Sequence, residues 1–184
     1  MTAVFIIFGL AAALAVFLVI LYNGLVRLRN LVREGWSGID VQLKRRANLI
    51  PNLVEAVKGY MKHERDLLTQ VTALRTESLN ARDVQDKARL EAALSRSLAN
   101  VLAVAEGYPQ LKANENFLDL QSRLAAVEAD IQLARRYYNG TVRDLNIKVE
   151  SFPSNLVAAF FGFRQADFFE IEDQTQRRVP EVNF

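Results

Sequence analysis

Apolar and polar positions follow a helical period along nearly all of this chain, but the first stretch has no polar positions to alternate with. From Ala3 to Tyr22 it reads AVFIIFGLAAALAVFLVILY, and no charged side chain appears before Arg27. A helix rises about 1.5 Å per residue, so about twenty apolar residues reach about 30 Å, the thickness of a bilayer's hydrocarbon core. Residues 1–23 are therefore predicted to be a transmembrane anchor, with Ala3, Phe5, Phe8, Leu14, Phe17 and Leu21 in the apolar span and Tyr22 marking the interface. A cleaved secretory signal fits less well. No Lys or Arg precedes the run, and Leu21-Tyr22-Asn23-Gly24-Leu25 offers no small-residue cleavage site. Cations follow the anchor and none comes before it, which predicts an N-terminus outside and the remaining residues in the cytoplasm. Of those cations, Arg27, Arg29 and Arg33 are the candidates for contact with anionic lipid.

Beyond the anchor a stripe runs through Leu25, Leu28, Val32, Trp36, Ile39, Leu43, Ala47 and Ile50 in steps of three and four. It continues through Val54, Val57, Met61, Leu68 and Val71, with Glu64 as its one polar interruption. Pro51 lies in the middle, where a proline removes a hydrogen bond and crowds the preceding turn. Either one kinked helix runs to about Ser78, or the chain turns back near Asn48 to Pro51. The unbroken phase favours the kink. Leu79 to Arg82 reads as a turn, with Asp83 as the cap of a helix carrying Leu90, Leu94, Leu98, Val101 and Ala105. That helix ends at Gly107-Tyr108-Pro109. A third begins near Ala113 or Asn114 and runs through Phe117, Leu120, Leu124, Val127, Ile131, Ala134, Tyr138, Val142, Leu145 and Val149 to Phe152, ahead of Pro153. Ser154 is placed to cap a short helix closed by Gly162, and the tail over 173–184 is polar. No segment alternates like a strand. The predicted fold is all-α: an N-terminal transmembrane helix continuing into an elongated, coiled-coil-like antiparallel bundle of three to four helices over 24–172.

These residues resemble the LemA family of bacterial membrane-anchored helical proteins. The likeness rests on Gln42-Leu43-Lys44-Arg45-Arg46, Leu49-Ile50-Pro51-Asn52-Leu53-Val54 and Tyr108-Pro109. It extends through Leu111-Lys112-Ala113-Asn114, Asn116-Phe117, Tyr138-Asn139, Phe152-Pro153-Ser154-Asn155 and Gly162-Phe163. The resemblance implies a single N-terminal anchor in the bacterial inner membrane, an antiparallel helical bundle and no enzymatic activity. One branch of the family looks like a component of magnetosome membrane formation, which implies a role in shaping or scaffolding membrane.

Composition narrows the chemistry. Twenty-three Lys and Arg face 21 Asp and Glu, a net charge of +2 that argues against a nucleic-acid binder. The absence of cysteine excludes disulfides and thiolate metal sites, and the single histidine, His63, excludes a histidine-rich one. Glu55 with Glu64, or Glu128 with Asp130, have the look of acid–base pairs, but solvated helix faces explain them better. No catalytic, cofactor or metal site and no small-molecule substrate is expected. Lys44-Arg45-Arg46 lie far from the anchor for lipid contact, and a solvated face or ion pairs between helices suit them better. Contact is the expected activity, with the bilayer and with a second copy of the chain as a scaffold. The alternative is a membrane-tethered adaptor that presents the bundle to a soluble or membrane partner such as a quality-control protease or signalling protein. Trp36 belongs by default to the core. If the first helix passes Pro51, however, Val32, Trp36 and Ile39 face a region with few partners and become candidates for self-association. The aromatic stretch with Phe160, Phe161 and Phe163 either caps the bundle, contacts another subunit or enters the membrane.

Overall fold

The computed structural model describes residues 1–61 and 63–170; the polar tail expected over 173–184 lies outside them. Six helices occur among the described residues: α1 (Thr2–Lys58), α2 (Arg65–Asn80), α3 (Val84–Ala105), α4 (Pro109–Lys112), α5 (Glu115–Glu150) and α6 (Ser154–Phe161). No strand occurs among the described residues. Contacts divide the chain into two units. One joins Met1–Asp40 to Leu133–Phe168, and the other comprises Val41–Gln132 with Phe169 and Glu170.

In the second unit, Ile50, Leu53 and Val57 of α1 share a core with Val71 of α2, Leu94 and Val101 of α3, Leu111 of α4 and Phe117 of α5. Helix α1 passes through Pro51, as its phase predicted, but ends at Lys58 and not near Ser78. The reversal lies in the next few residues, where the N–H groups of Tyr60 and Met61 both donate to the Val57 carbonyl, at 3.0 and 2.9 Å. The apolar stripe hides this break because Met61 stays buried in the turn and α2 resumes with Leu68 and Val71 facing the same core. Glu64, the polar interruption, is the residue at which α2 begins.

Continuity through Pro51 has a specific support. Proline lacks the N–H that would bond the carbonyl four residues earlier, which leaves Ala47 C=O without its helical donor. Arg75 of α2 supplies the replacement, its Nε donating to the Ala47 oxygen at 2.7 Å. The other helix ends follow the sequence more directly. The Asp83 carboxylate accepts from the N–H groups of Gln85 and Asp86 at 2.9 and 3.1 Å, and Asn114 Oδ1 accepts from Phe117 N–H at 3.1 Å.

In the first unit, Ile39, Tyr138, Val142 and Leu145 are buried along α1 and α5. Helix α6 closes on Gly162 at φ +70°, a left-handed conformation that only glycine adopts at no steric cost. Ser154 does not cap α6 as expected. Its hydroxyl donates backwards, to the Ser151 carbonyl at 2.9 Å and to that of Lys148 in the last turn of α5 at 2.7 Å, where the carbonyls of a helix end run short of helical donors. After Gly162 the chain returns along α5. The Asn146 side chain bonds both backbone groups of Ala166, at 2.8 and 3.0 Å, and the Tyr138 hydroxyl donates to the Asp167 carbonyl at 2.8 Å.

Candidate functional site

Helix α1 contains a segment long and apolar enough to cross a membrane, with a mean hydropathy of 3.1, which points to membrane anchoring. Of the residues assigned to the span, Ala3, Phe5, Phe8, Leu14 and Phe17 are exposed. Leu21 is not. It is buried with Leu25 against Val157 and Ala158 of α6 and against Phe163. The apolar segment thus becomes covered by the chain's own C-terminal part within one helical turn of Tyr22.

Aromatic rings build that junction. Tyr22 meets Phe161 edge-on at 4.8 Å between ring centres and Phe163 at 5.8 Å. The guanidinium of Arg29 lies 5.0 Å from the centre of the Phe163 ring, an attraction worth about 0.5–1 kcal/mol at an exposed site. Arg27 and Arg33, the other two candidates for lipid contact, are exposed. Between α1 and α6 lies an open cleft of about 520 Å³, lined by Leu18, Val19, Tyr22, Leu156, Val157, Phe160 and Phe161. On its rim Phe152, Leu156, Phe160 and Phe161 remain exposed, Phe160 to 83%.

The residues proposed for self-association therefore separate. Ile39 is fully enclosed, Val32 and Trp36 are half-buried, and the Trp36 ring packs 5.6 Å from that of Tyr138. The expectation that this part of α1 lacks partners fails because α5 is long enough to bring residues 138–149 to it. Gly35 makes the close approach: a Cβ there would stand 3.1 Å from the Tyr138 Cα. Phe163 is buried as well, and of the named residues only Phe160 and Phe161 are exposed.

A second arrangement was only partly legible. Arg46, grouped in sequence with exposed Lys44 and Arg45, is 2% exposed. Its guanidinium donates to the carboxylate of Glu91, which is also buried, and to Glu128 at 2.6 Å. It also donates to the Ser95 hydroxyl and, at 3.3 Å, to the Glu91 carbonyl. The Ser78 hydroxyl donates to the other Glu91 oxygen. Arg45 pairs on the surface with Asp130 at 3.1 Å. The ion-pair reading of this basic cluster is the one the geometry bears out. Glu128 and Asp130, one of the two pairs weighed for acid–base work, thus have structural partners. Glu64 likewise accepts the Tyr108 hydroxyl at 2.9 Å, and that hydrogen bond, then desolvation, then the carboxylate's charge, raises the Tyr108 pKa above its ordinary value. His63 is exposed, and among the described residues no three His, Asp or Glu side chains gather as metal ligands. The signal that could have found Arg46 is its place beside Ala47, on the buried stripe.

The comparisons with known proteins agree with this picture of a helical, anchored chain. Magnetosome protein MamQ 2 of Paramagnetospirillum magneticum is 25% identical over 175 residues, 81% of this chain and 64% of that protein. Protein LemA of Metamycoplasma hominis is 25% identical over 155 residues, 82% of this chain and 69% of its own length. Magnetosome protein MamQ of Magnetospirillum gryphiswaldense is 22% identical over 174 residues, 80% of this chain and 64% of that protein. The chain spans less than two thirds of the length of the MamQ proteins it matches. The model of the LemA family matches residues 35–184, well over half of the sequence, and the chain belongs to that family.

Proposed function

We propose that this protein is a membrane-anchored helical scaffold that acts by contact and not by catalysis, associating with copies of itself to organise or shape the bacterial inner membrane. The observation that carries this reading is the junction at Leu21 and Tyr22, where an exposed apolar helix passes directly beneath a folded helical domain. Support for an antiparallel bundle comes from contacts inside each unit. Trp36 meets Tyr138 and Val149 packs against the cluster that holds Leu25 in one, while Ala47 meets Arg75 and Ser78 meets Glu91 in the other. Two relatives bear the name of magnetosome proteins, which favours a role at a membrane. The polar residues with resolved partners are engaged in packing and ion pairs, which favours a role without substrate, cofactor or nucleic acid.

With Ile39 enclosed, contact between copies falls to a different surface. Leu133, Tyr137 and Ile147 are exposed and share one side of α5, opposite Tyr138, Val142 and Leu145 by helical spacing. Orientation follows the arginines after the anchor, with the N-terminus outside and the helices in the cytoplasm. A membrane-tethered adaptor for another protein is the second reading. It is favoured by an open cleft of about 1020 Å³ between the end of α1 and α2, lined by Val54, Met61, Leu68 and Thr72 among others. Mass measurement of the full chain in lipid nanodiscs separates the two. A defined homo-oligomer that Tyr137→Glu dissolves supports the scaffold; a monomer at all concentrations sinks it in favour of the adaptor. A cysteine introduced at exposed Ala99 reports orientation, because labelling by an impermeant thiol reagent in intact cells reverses the assignment.

A further inference from the structure

Helix α6 poses a problem that the anchor alone does not solve. Its buried side, Val157 and Ala158, packs on Leu21 and Leu25. Its other side carries Leu156, Phe160 and Phe161, with Phe152 just before it, and all four are exposed. Leaving such a cluster in water forgoes the free energy gained when each large apolar side chain leaves it. An exposed apolar patch therefore marks a surface with a non-aqueous partner. The position of α6 identifies that partner. The cleft it forms with α1 is walled by Leu18 and Val19, residues of the apolar span itself, which are exposed in their own right. The patch on α6 and the lipid-facing surface of the anchor are thus one continuous apolar surface. Leu18 stands one helical turn before Tyr22, about 6 Å along the axis. That matches the depth of roughly 5–10 Å at which an interfacial helix settles below the headgroups. Charge agrees with the placement. Exposed Arg27, Arg29 and Arg33 follow the span on α1, and exposed Arg164 follows α6 just past Gly162.

We infer that α6 is a second, monotopic membrane contact. Its Leu156, Phe160 and Phe161 face lies in the acyl boundary of the leaflet beside the anchor, while the neighbouring arginines meet anionic headgroups. The inference rests on the reading of α1 as a membrane span and adds to it a fixed depth and tilt: a helix held at one point can rotate, whereas a helix held at its end and flanked by an embedded wedge cannot. A wedge in one leaflet also widens that leaflet alone, which gives a scaffold a means of bending the membrane.

The native chain has no cysteine, so single cysteines can be placed at Phe160, at Phe8 in the span and at exposed Ala99 on α3. Each variant carries an environment-sensitive fluorophore and is reconstituted as the full chain in phosphatidylcholine–phosphatidylglycerol vesicles containing lipids with nitroxide at a shallow or a deep acyl position. The label at Phe160 is expected to lose most of its fluorescence to the shallow quencher and less to the deep one. The label at Phe8 should favour the deep quencher, and the label at Ala99 should respond to neither. Quenching at Phe8 with none at Phe160 overturns the α6 contact and leaves the anchor standing. No quenching at Phe8 overturns the anchor itself. Emission at Phe160 that is blue-shifted yet insensitive to both quenchers assigns the patch to a second copy and overturns the lipid contact. Because fluorophore bulk could itself drive insertion, the double variant Phe160→Ser with Phe161→Ser is labelled at Leu156. Persistent shallow quenching there, with both rings removed, overturns the wedge.

Discussion

The two units solve opposite problems. In the unit of Val41–Gln132, charge has been taken out of water: Arg46 and Glu91 are both buried and paired, with both terminal guanidinium nitrogens engaged and only Arg46 Nε left without a hydrogen-bond partner. In the unit of Met1–Asp40 and Leu133–Phe168, apolar surface has been left outside the fold, on residues 4–20 and on Leu156, Phe160 and Phe161. Buried charge is costly unless paired, and exposed hydrocarbon is costly unless its solvent is hydrocarbon. On the reading proposed above, the unit of Met1–Asp40 and Leu133–Phe168 is completed by a bilayer and that of Val41–Gln132 by its own ion pairs. Their sensitivities should differ accordingly, with the water-facing unit resting on a few polar contacts and the membrane-facing unit on ring packing and on its surroundings.

The largest effect is expected at Arg46. Replacing it with methionine strands the Glu91 carboxylate in the core, and removing one partner of a buried pair costs about 3–5 kcal/mol. Arg46→Met combined with Glu91→Met should recover much of that loss, because Glu128 is 40% exposed and can hydrate. Arg89→Ala, at an exposed pair with Asp86, should cost no more than about 1 kcal/mol. Urea unfolding in detergent micelles measures all three. Equal costs for Arg46→Met and Arg89→Ala would erase the distinction between buried and surface charge on which the stability of this unit is argued to rest.

Next comes the contact that carries α1 through Pro51. Arg75→Leu leaves the Ala47 carbonyl without a donor, at a cost of about 1–3 kcal/mol for a buried acceptor. Pro51→Ala restores the missing N–H, so Arg75→Leu should cost much less in that background. Additive losses in the double-mutant cycle would mean that Arg75 acts through packing alone.

This pair also shows what the sequence could and could not reveal. The helical period, the Asp83 cap, the end at Gly107 and the αL closure at Gly162 were all readable, since each depends on neighbours within a few residues. The reversal after Lys58 was not, because Met61 and Leu68 keep the stripe in phase whether the chain continues or doubles back. Glu64 was the available clue, a polar residue on an apolar stripe, and it proves to start α2 and to hold Tyr108. For Arg46 the local clue, its place beside Ala47 on the apolar stripe, sets it apart from Lys44 and Arg45 but does not name its partners. Its burial depends on Glu91 and Glu128, each some distance along the chain. The junction at Tyr22 was half legible: the span and the aromatic cluster were both evident, but their meeting was not.

Tyr138 offers a smaller, pH-dependent test on the membrane-facing side. Burial, reinforced by the negative charge of Asp167, pushes its phenol up to about 12 from an ordinary value of 10.0. The folded state then holds a proton that the unfolded state releases, so the stabilisation is complete below pH 10 and is lost as pH rises towards 12. The loss is on the order of 1–2 kcal/mol. Tyr138→Phe forfeits the bond to the Asp167 carbonyl, about 1 kcal/mol at neutral pH, but should flatten the alkaline decline. A decline of unchanged steepness in the variant would assign the transition to other groups, Tyr108 among them.

The smallest effect separates two glycines one turn apart on α1. Glycine inside a helix costs roughly 0.5–1 kcal/mol relative to alanine. Gly38 has nothing within 4 Å of where a Cβ would stand, so Gly38→Ala should recover most of that. At Gly35 the added carbon meets the Tyr138 Cα at 3.1 Å, with Thr141 and Tyr137 side chains at 3.4 Å. Backbone cannot swing aside as a side chain does, so α5 must shift bodily and drag the Trp36–Tyr138 contact with it. Gly35→Ala should therefore gain nothing or destabilise, while Gly38→Ala raises the thermal midpoint. If both variants gain equally, α1 and α5 have slack at this crossing, and the enclosure that removes Ile39 and Trp36 from the surface is looser than their burial implies. That outcome would return the seam of α1 to the surfaces available for contact between copies.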